Sequence, residues 1–251
     1  MARGHAILFD IDGTLLLTDG AGRVALRSAL ESVYGTAGPL DGYNFHGKTD
    51  PQIVVELMAG AGFAEPEIRQ KMATVWPLYL KRLASELDVR RREERIQILP
   101  GVRDVLDGLT RRRDVTLGLL TGNIEEGARL KLEAAGMASK FRLGGFGSDA
   151  EDRAGVARVA VERLRSYLGD SEGGAPVLVI GDTPEDVACA RVVRARAVAV
   201  ATGRHSVGEL EETGADAVFA DLSDASQVID RLLSLLGASG TSAGGAGNGG
   251  G

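Results

Sequence analysis

Four short, nearly continuous apolar runs punctuate the chain: Ala6-Ile7-Leu8-Phe9, residues 115–120, Val177-Leu178-Val179-Ile180 and Ala197-Val198-Ala199-Val200. They are rich in β-branched residues and carry almost no polar positions, the pattern of parallel strands covered on both faces. Apolar residues at helical spacing separate the later runs. Residues 102–109 precede the second run, 125–135 follow it, 156–168 precede the third, and 184–191 join the third to the fourth. Strands alternating with helices predict an α/β sandwich with right-handed crossovers, three layers around a mostly parallel sheet.

One stretch breaks the alternation. From residue 17 to residue 98 the pattern is helical, with apolar residues at helical spacing over 24–33, 51–61 and 68–87 and no convincing strand. Gly35, Gly38-Pro39, Gly60 and Gly62 mark the joints, and Leu99-Pro100-Gly101 marks the return. The expected organisation is a core of residues 1–16 and 99–236, a helical cap of residues 17–98 inserted after the first strand, and a flexible Gly/Ser/Ala tail over 237–251.

Composition narrows the function. A net charge of −6 and 4% aromatic residues argue against nucleic-acid binding, which calls for a basic face and stacking rings. The basic runs Arg90-Arg91-Arg92 and Arg111-Arg112-Arg113 read as solvated surface. No apolar run reaches membrane-spanning length, so no membrane partner is expected. Met1 to His5 lead straight into the first strand without a signal-peptide layout, and Cys189 is the single cysteine. A cytoplasmic location is the expectation. His5, His46 and His205 are scattered and form no zinc pattern.

Candidate chemistry gathers at strand ends. Asp10-Ile11-Asp12-Gly13-Thr14 follows the first strand directly. Two carboxylates two residues apart repel unless a cation or a shared proton lies between them. Ligands of open α/β sheets bind outside the carboxyl ends of the strands. An ordinary Asp-Gly turn is the plain alternative; a calcium loop lacks its final Glu, since Ala21 stands there. Gly181-Asp182-Thr183-Pro184-Glu185-Asp186 follows the third strand. Helix capping accounts for Thr183, Pro184 and in part Asp186, but not for Asp182, which falls on the same side as Asp10. Mg²⁺ favours one or two carboxylates plus waters and substrate oxygens, a set that Asp10 and Asp182 supply. Thr121-Gly122-Asn123, at the end of the second strand, offers a hydroxyl and free amides as a phosphate cradle, or makes an ordinary turn. Phosphoryl transfer also needs a cation. Arg153, opening the helix before the third strand, is the candidate, its plain alternative being a surface arginine beside Asp149 and Asp152.

In order and type these motifs resemble the haloacid dehalogenase superfamily, and the helical insertion resembles its C1-capped branch of phosphoglycolate phosphatase-like enzymes and β-phosphoglucomutase. The resemblance runs to about residue 236. It implies a Rossmann-like core under a helical lid and a Mg²⁺-dependent phosphatase acting on a small phosphorylated metabolite. Asp10 would attack phosphorus. Asp12 would exchange the proton and lend its carbonyl to the metal. Thr121, Gly122 and Asn123 would hold phosphoryl oxygens, and Arg153 would offset their charge. Asp182 would ligate Mg²⁺, with Asp186 in support of the metal or of the basic residue. This branch usually has a Lys-Pro at the third motif; the chain has none there, and Lys140 is the weaker substitute for Arg153. Phe45-His46-Gly47-Lys48-Thr49-Asp50 resembles the branch's specificity loop: Lys48 either meets the leaving group or stays solvated while Thr49 or Asp50 caps the next helix. Arg23 is a weaker candidate of the same kind. The competing expectations are a phosphomutase and a non-enzymatic regulator; a true dehalogenase has no use for Asp12 and Asp182.

Overall fold

The computed structural model describes residues 4–170 and 174–237. Its strands are β1 (His5–Phe9), β2 (Leu16–Leu17), β3 (Gln97–Ile98), β4 (Val115–Leu120), β5 (Gly144–Gly145), β6 (Val177–Gly181), β7 (Arg196–Val200) and β8 (Ala217–Phe219). Its helices are α1 (Ala21–Tyr34), α2 (Asp50–Gly60), α3 (Glu65–Arg92), α4 (Val102–Thr110), α5 (Glu125–Ala134), α6 (Arg153–Leu168), α7 (Pro184–Val192), α8 (Val207–Glu211) and α9 (Ala225–Gly237). The tail expected over 237–251 lies, beyond Gly237, outside the described residues.

Six strands form one sheet in the order β5-β4-β1-β6-β7-β8, with every pairing parallel. Alternation along β1 explains the layers. Ile7 and Phe9 pack with Val105, Leu109, Leu132 and Leu232 of α4, α5 and α9 on one face. Ala6 and Leu8 pack with Val156, Ala160 and Ala190 of α6 and α7 on the other. Both faces are thus covered, and the four long apolar runs are β1, β4, β6 and β7 as the pattern implies.

The helical insertion has its own apolar cluster. Leu26 and Leu30 of α1, Val54 and Leu57 of α2, and Val75, Tyr79 and Leu83 of α3 pack together, with Ile124, Leu130 and Ala134 joining from the core. Two expectations change here. The insertion begins and ends in strands, since β2 and β3 pair antiparallel at its neck; two residues each are too few to leave a periodicity. Arg90 is also no solvated residue: it is buried, donates to the Asp19 carbonyl at 3.0 Å and pairs with Glu86. It fixes the turn where the chain enters α1. Arg111, Arg112 and Arg113 are exposed as expected.

Residues 141–143 lead into β5 alongside β4. The ladder to β4 continues through Leu143, whose carbonyl accepts from Leu119, but the assigned strand is the glycine pair of β5. No side chains mark that pair as a strand. Elements α8, β8 and α9 complete the far edge and one face.

Candidate active site

Parallel pairing puts the ends of β1, β4 and β6 at one edge. Phe9 is level with Leu119 and with Ile180, so Asp10, Thr121 and Asp182 emerge together from the carboxyl ends of three adjacent strands. A cavity of about 510 Å³ opens over that edge, between the sheet and the helical insertion, with Asp10, Asp12, Thr121 and Arg153 in its wall.

Three carboxylates cluster at its base. Asp10, Asp182 and Asp186 each present an oxygen within 4.8 Å of the others, and all three residues are buried. Arg153 is the single cation at this base among the described residues. One guanidinium nitrogen stands 3.4 Å from Asp10 Oδ1 and another pairs with Asp186. It occupies the first turn of α6, which Asp152 caps, and is itself 8% exposed. Arg163 bonds Asp149 outside the crevice, Arg142 and Arg158 are exposed, and Lys140 pairs with Asp107. Among the sequence candidates for this cation, Arg153 alone reaches Asp10.

Asp182 is the tightest of the three. Thr14 donates to its Oδ1 at 3.0 Å, while its Oδ2 is buried with no hydrogen-bond partner. Backbone walls that oxygen in: Gly13 has φ +87°, and a Cβ there would lie 2.3 Å from Oδ2, and one on Gly203 would lie 1.8 Å away. Glycine at 13 therefore answers both the backbone angle and the close approach. Burial, reinforced by Asp10 and Asp186, pushes the Asp182 carboxyl up to about 8. Burial raises Asp10 to about 7, with Arg153 pulling the other way and Asp186 and Asp12 adding to the rise. An orphaned buried oxygen beside two further carboxylates, with one arginine to balance them, fits a hard divalent cation. Asp186 is the least free donor. Its Oδ1 goes to Arg153, and its Oδ2 accepts from the Thr183 amide and hydroxyl in a capping box.

The cradle expected at Thr121-Gly122-Asn123 is a linked set. The Thr121 hydroxyl oxygen accepts from the Asn123 amide at 3.3 Å and from its Nδ2 at 2.8 Å. The same Nδ2 donates to Asp12 Oδ2 at 2.7 Å. A residue missed in the sequence completes it: Lys131 Nζ lies 2.6 Å from Asp12 Oδ2 and 2.6 Å from Asn123 Oδ1. The available signal was its place on the buried stripe Ala128, Lys131, Leu132 of α5, where a lysine is out of character.

The loop over residues 45–50 sits directly on this machinery. Asp50 donates its amide to the Gly122 carbonyl at 2.7 Å and accepts from the Ile124 amide at 2.8 Å. Thr49 caps α2, accepting from Gln52, and its hydroxyl donates to the Glu151 carbonyl. Lys48 neither floats in solvent nor stands free. It lines the cavity while bonding Glu56 and the Tyr43 hydroxyl. Arg23 likewise lines the cavity, bonded to the Leu40 carbonyl and Asp41.

An all-parallel sheet with an aspartate pair at the end of its first strand and a second acidic motif at the end of β6 defines a class of hydrolase. Residues 7–191 match the family model for haloacid dehalogenase-like hydrolases, and the chain belongs to that family. Within 140 residues it is 31% identical to a phosphoglycolate phosphatase of Synechococcus elongatus, a stretch covering 55% of this chain and 62% of the relative. The match thus spans less than two thirds of that relative's length. Among solved structures, a predicted phosphatase from Clostridium acetobutylicum superposes with a TM-score of 0.66 at 18% identity, covering 93% of this chain and 100% of that one. A predicted phosphoglycolate phosphatase from Haemophilus somnus gives 0.61 at 17% identity, covering 91% and 99%. At such identities the structures report the fold. Among the described residues no helix is long and apolar enough to cross a membrane.

Proposed function

We propose that the chain is a Mg²⁺-dependent phosphatase that hydrolyses a small phosphomonoester through an aspartyl-phosphate on Asp10. The observation that carries this reading is the convergence of Asp10, Asp12, Thr121 and Arg153 on one cavity under the helical insertion, with Asp182 buried beside Asp10. Residues 17–98 act as a cap that lifts about the β2–β3 neck and excludes water when down. The single, buried Cys189 suits a reducing compartment such as the cytoplasm.

In this mechanism an Asp10 oxygen attacks phosphorus and the bond from phosphorus to the ester oxygen breaks. Asp12, its side chain 42% exposed to the cavity, gives its proton to the departing oxygen. It then takes a proton from the water that attacks phosphorus, and the bond to Asp10 breaks to release orthophosphate. The Thr121 oxygen already accepts from Asn123, so its own O–H is left to donate to a phosphoryl oxygen. Amides after it and the Arg153 guanidinium share the remaining oxygens. Mg²⁺ would be held by Asp10, Asp182 and the Asp12 carbonyl, with Asp186 steadying Arg153, and would supply positive charge to the transferring group. Lys48, bound to Glu56, and the loop around it shape the leaving-group end.

Phosphate release measured over sugar phosphates, phosphoglycolate, nucleotides and pyrophosphate tests this reading. Turnover of at least one phosphomonoester with Mg²⁺, lost in EDTA, is expected. Full activity after verified metal removal overturns the metal assignment. Transfer of phosphate to a second sugar hydroxyl, without release, makes the enzyme a mutase instead.

Titration of the cluster gives a second expectation. Unfolded aspartate titrates near 4, whereas Asp10 and Asp182 hold their protons to about 7 and 8 in the metal-free fold. The fold then binds protons that the unfolded chain has lost, so metal-free stability falls as pH rises through that window. Mg²⁺ should restore it. The rise in Tm on adding Mg²⁺ should therefore be larger at about pH 8.5 than at about pH 6. Equal rises at both pH values, read by differential scanning fluorimetry, count against cation binding at these carboxylates.

A further inference from the structure

Lys131 is 5% exposed, on the face of α5 that carries the buried Ala128 and Leu132. An ammonium in such a place must be paired to stay charged. Its partners are both functional candidates: Asp12 Oδ2 and Asn123 Oδ1, each at 2.6 Å. Asn123 closes the ring by donating Nδ2 to that same Asp12 oxygen at 2.7 Å. Two donors thus converge on Oδ2, and Oδ1 of Asp12 makes no hydrogen bond among the described residues. The carboxyl is held by one oxygen with the other turned loose.

The helical insertion completes the setting. A Cβ built on Gly22 would lie 3.8 Å from both Lys131 Nζ and the Tyr79 hydroxyl, so the phenol of α3 and the ammonium border one spot. Asp50 of α2, half-buried and pushed up to about 6 by desolvation, feels the pull of Lys131 as its main opposing influence. An ammonium has three donors, and the two used here both serve to orient Asp12.

Resting on the phosphatase reading above, we propose that Lys131 is a positioning residue. It locks the Asp12 carboxyl, with Asn123, so that Oδ1 faces the leaving-group oxygen. Lys131 acts through Asp12 and makes no contact of its own with the transferred group. A side chain 1 Å out of place is enough to lose a large share of proton-transfer efficiency.

A double-mutant cycle decides it, with Lys131→Met, Asp12→Asn and the pair compared with the unmodified enzyme. The substrates are a well-turned-over alkyl phosphate and p-nitrophenyl phosphate, with Mg²⁺ present. Lys131→Met should lower kcat on the alkyl phosphate by roughly 10- to 100-fold, part of the scale of general acid–base catalysis, with KM changed by less than about threefold. The loss in kcat/KM, which reads only as far as aspartyl-phosphate formation, should be clearly smaller on p-nitrophenyl phosphate than on the alkyl phosphate, because that leaving group needs little protonation. In the Asp12→Asn background, Lys131→Met should cost less than about threefold more, because the two act as one unit. Lys131→Gln, which keeps a donor and an acceptor without the charge, repeats the cycle should the methionine variant fail to fold.

Losses that add in the double variant, a raised KM with kcat kept, or equal losses in kcat/KM on both substrates each overturn the proposal. The first two would make Lys131 a direct substrate ligand, and the last a structural residue only. The cycle also separates this idea from its foundation. Asp12→Asn with full kcat on the alkyl phosphate sinks the role of Asp12 itself, and a crippled Asp12→Asn with additive losses sinks Lys131 alone.

Discussion

Asp10→Asn is expected to remove turnover, with kcat down by at least about 10⁴-fold, the scale on which loss of a nucleophile is felt. The amide cannot form the acyl-phosphate bond, and nothing else in the crevice replaces it: Asp182 is pinned by Thr14 and walled by Gly13 and Gly203, and Asp186 is held by Arg153 and Thr183. The fold should survive. The Asp10 amide bonds the Ile180 carbonyl through the backbone, which the substitution leaves untouched. Asparagine also relieves repulsion in a cluster of three buried carboxylates, so the metal-free variant should melt no lower than the unmodified protein. The check is steady-state phosphate release alongside a melting curve. Residual activity above the contamination level of a mock purification, in a variant with an intact melt, would end the nucleophile assignment.

Arg153→Ala is expected to lower kcat by roughly 10²- to 10³-fold, the cost of removing one preorganised donor from a developing charge. The structural cost is larger than for most arginines. Asp10 and Asp186 both lose their cation inside a buried pocket, so the metal-free Tm should fall and Mg²⁺ should restore part of it. Arg153→Lys should recover some activity. An ammonium supplies the charge but not the fork that now spans Asp10 and Asp186. Lys140→Ala is the control, since Lys140 pairs with Asp107; its kcat/KM should be close to normal. A near-normal Arg153→Ala beside a crippled Lys140→Ala would move the third-motif charge upstream.

The sheet was legible wherever side chains wrote it. Strands β1, β4, β6 and β7 carry unbroken apolar runs because both faces are buried, and parallel order then places Asp10, Thr121 and Asp182 at one edge without further information. Strand β5 is two glycines, which have no side chains to form a pattern. Strand β8 is three half-buried residues at the sheet edge. Arg153 was found by motif order, as the basic residue needed between Thr121 and Asp182, although its burial could not be read from a stretch crowded with Asp149, Glu151 and Asp152. Lys131 was lost for the opposite reason. Glu126, Arg129 and Glu133 surround it and do form ion pairs at the surface, so one more charge on that helix looked ordinary. Its partners lie 8 and 119 residues away in the chain, a separation that local periodicity does not register.

The strand order also has a consequence during synthesis. Strand β1 lies between β4 and β6, so its second partner does not exist until residues 177–181 have been made. At roughly 5–20 residues per second, the interval from β1 to β6 lasts about 10–35 s. For that time a stretch of Ala6, Ile7, Leu8 and Phe9, each fully buried in the finished protein, has an open edge. The helices of residues 21–92 emerge within the interval and can settle on their own apolar cluster first. A nascent chain stalled between β4 and β6 should therefore hold a folded helical block and an unfinished sheet. It is at that stage that a chaperone has most to shield.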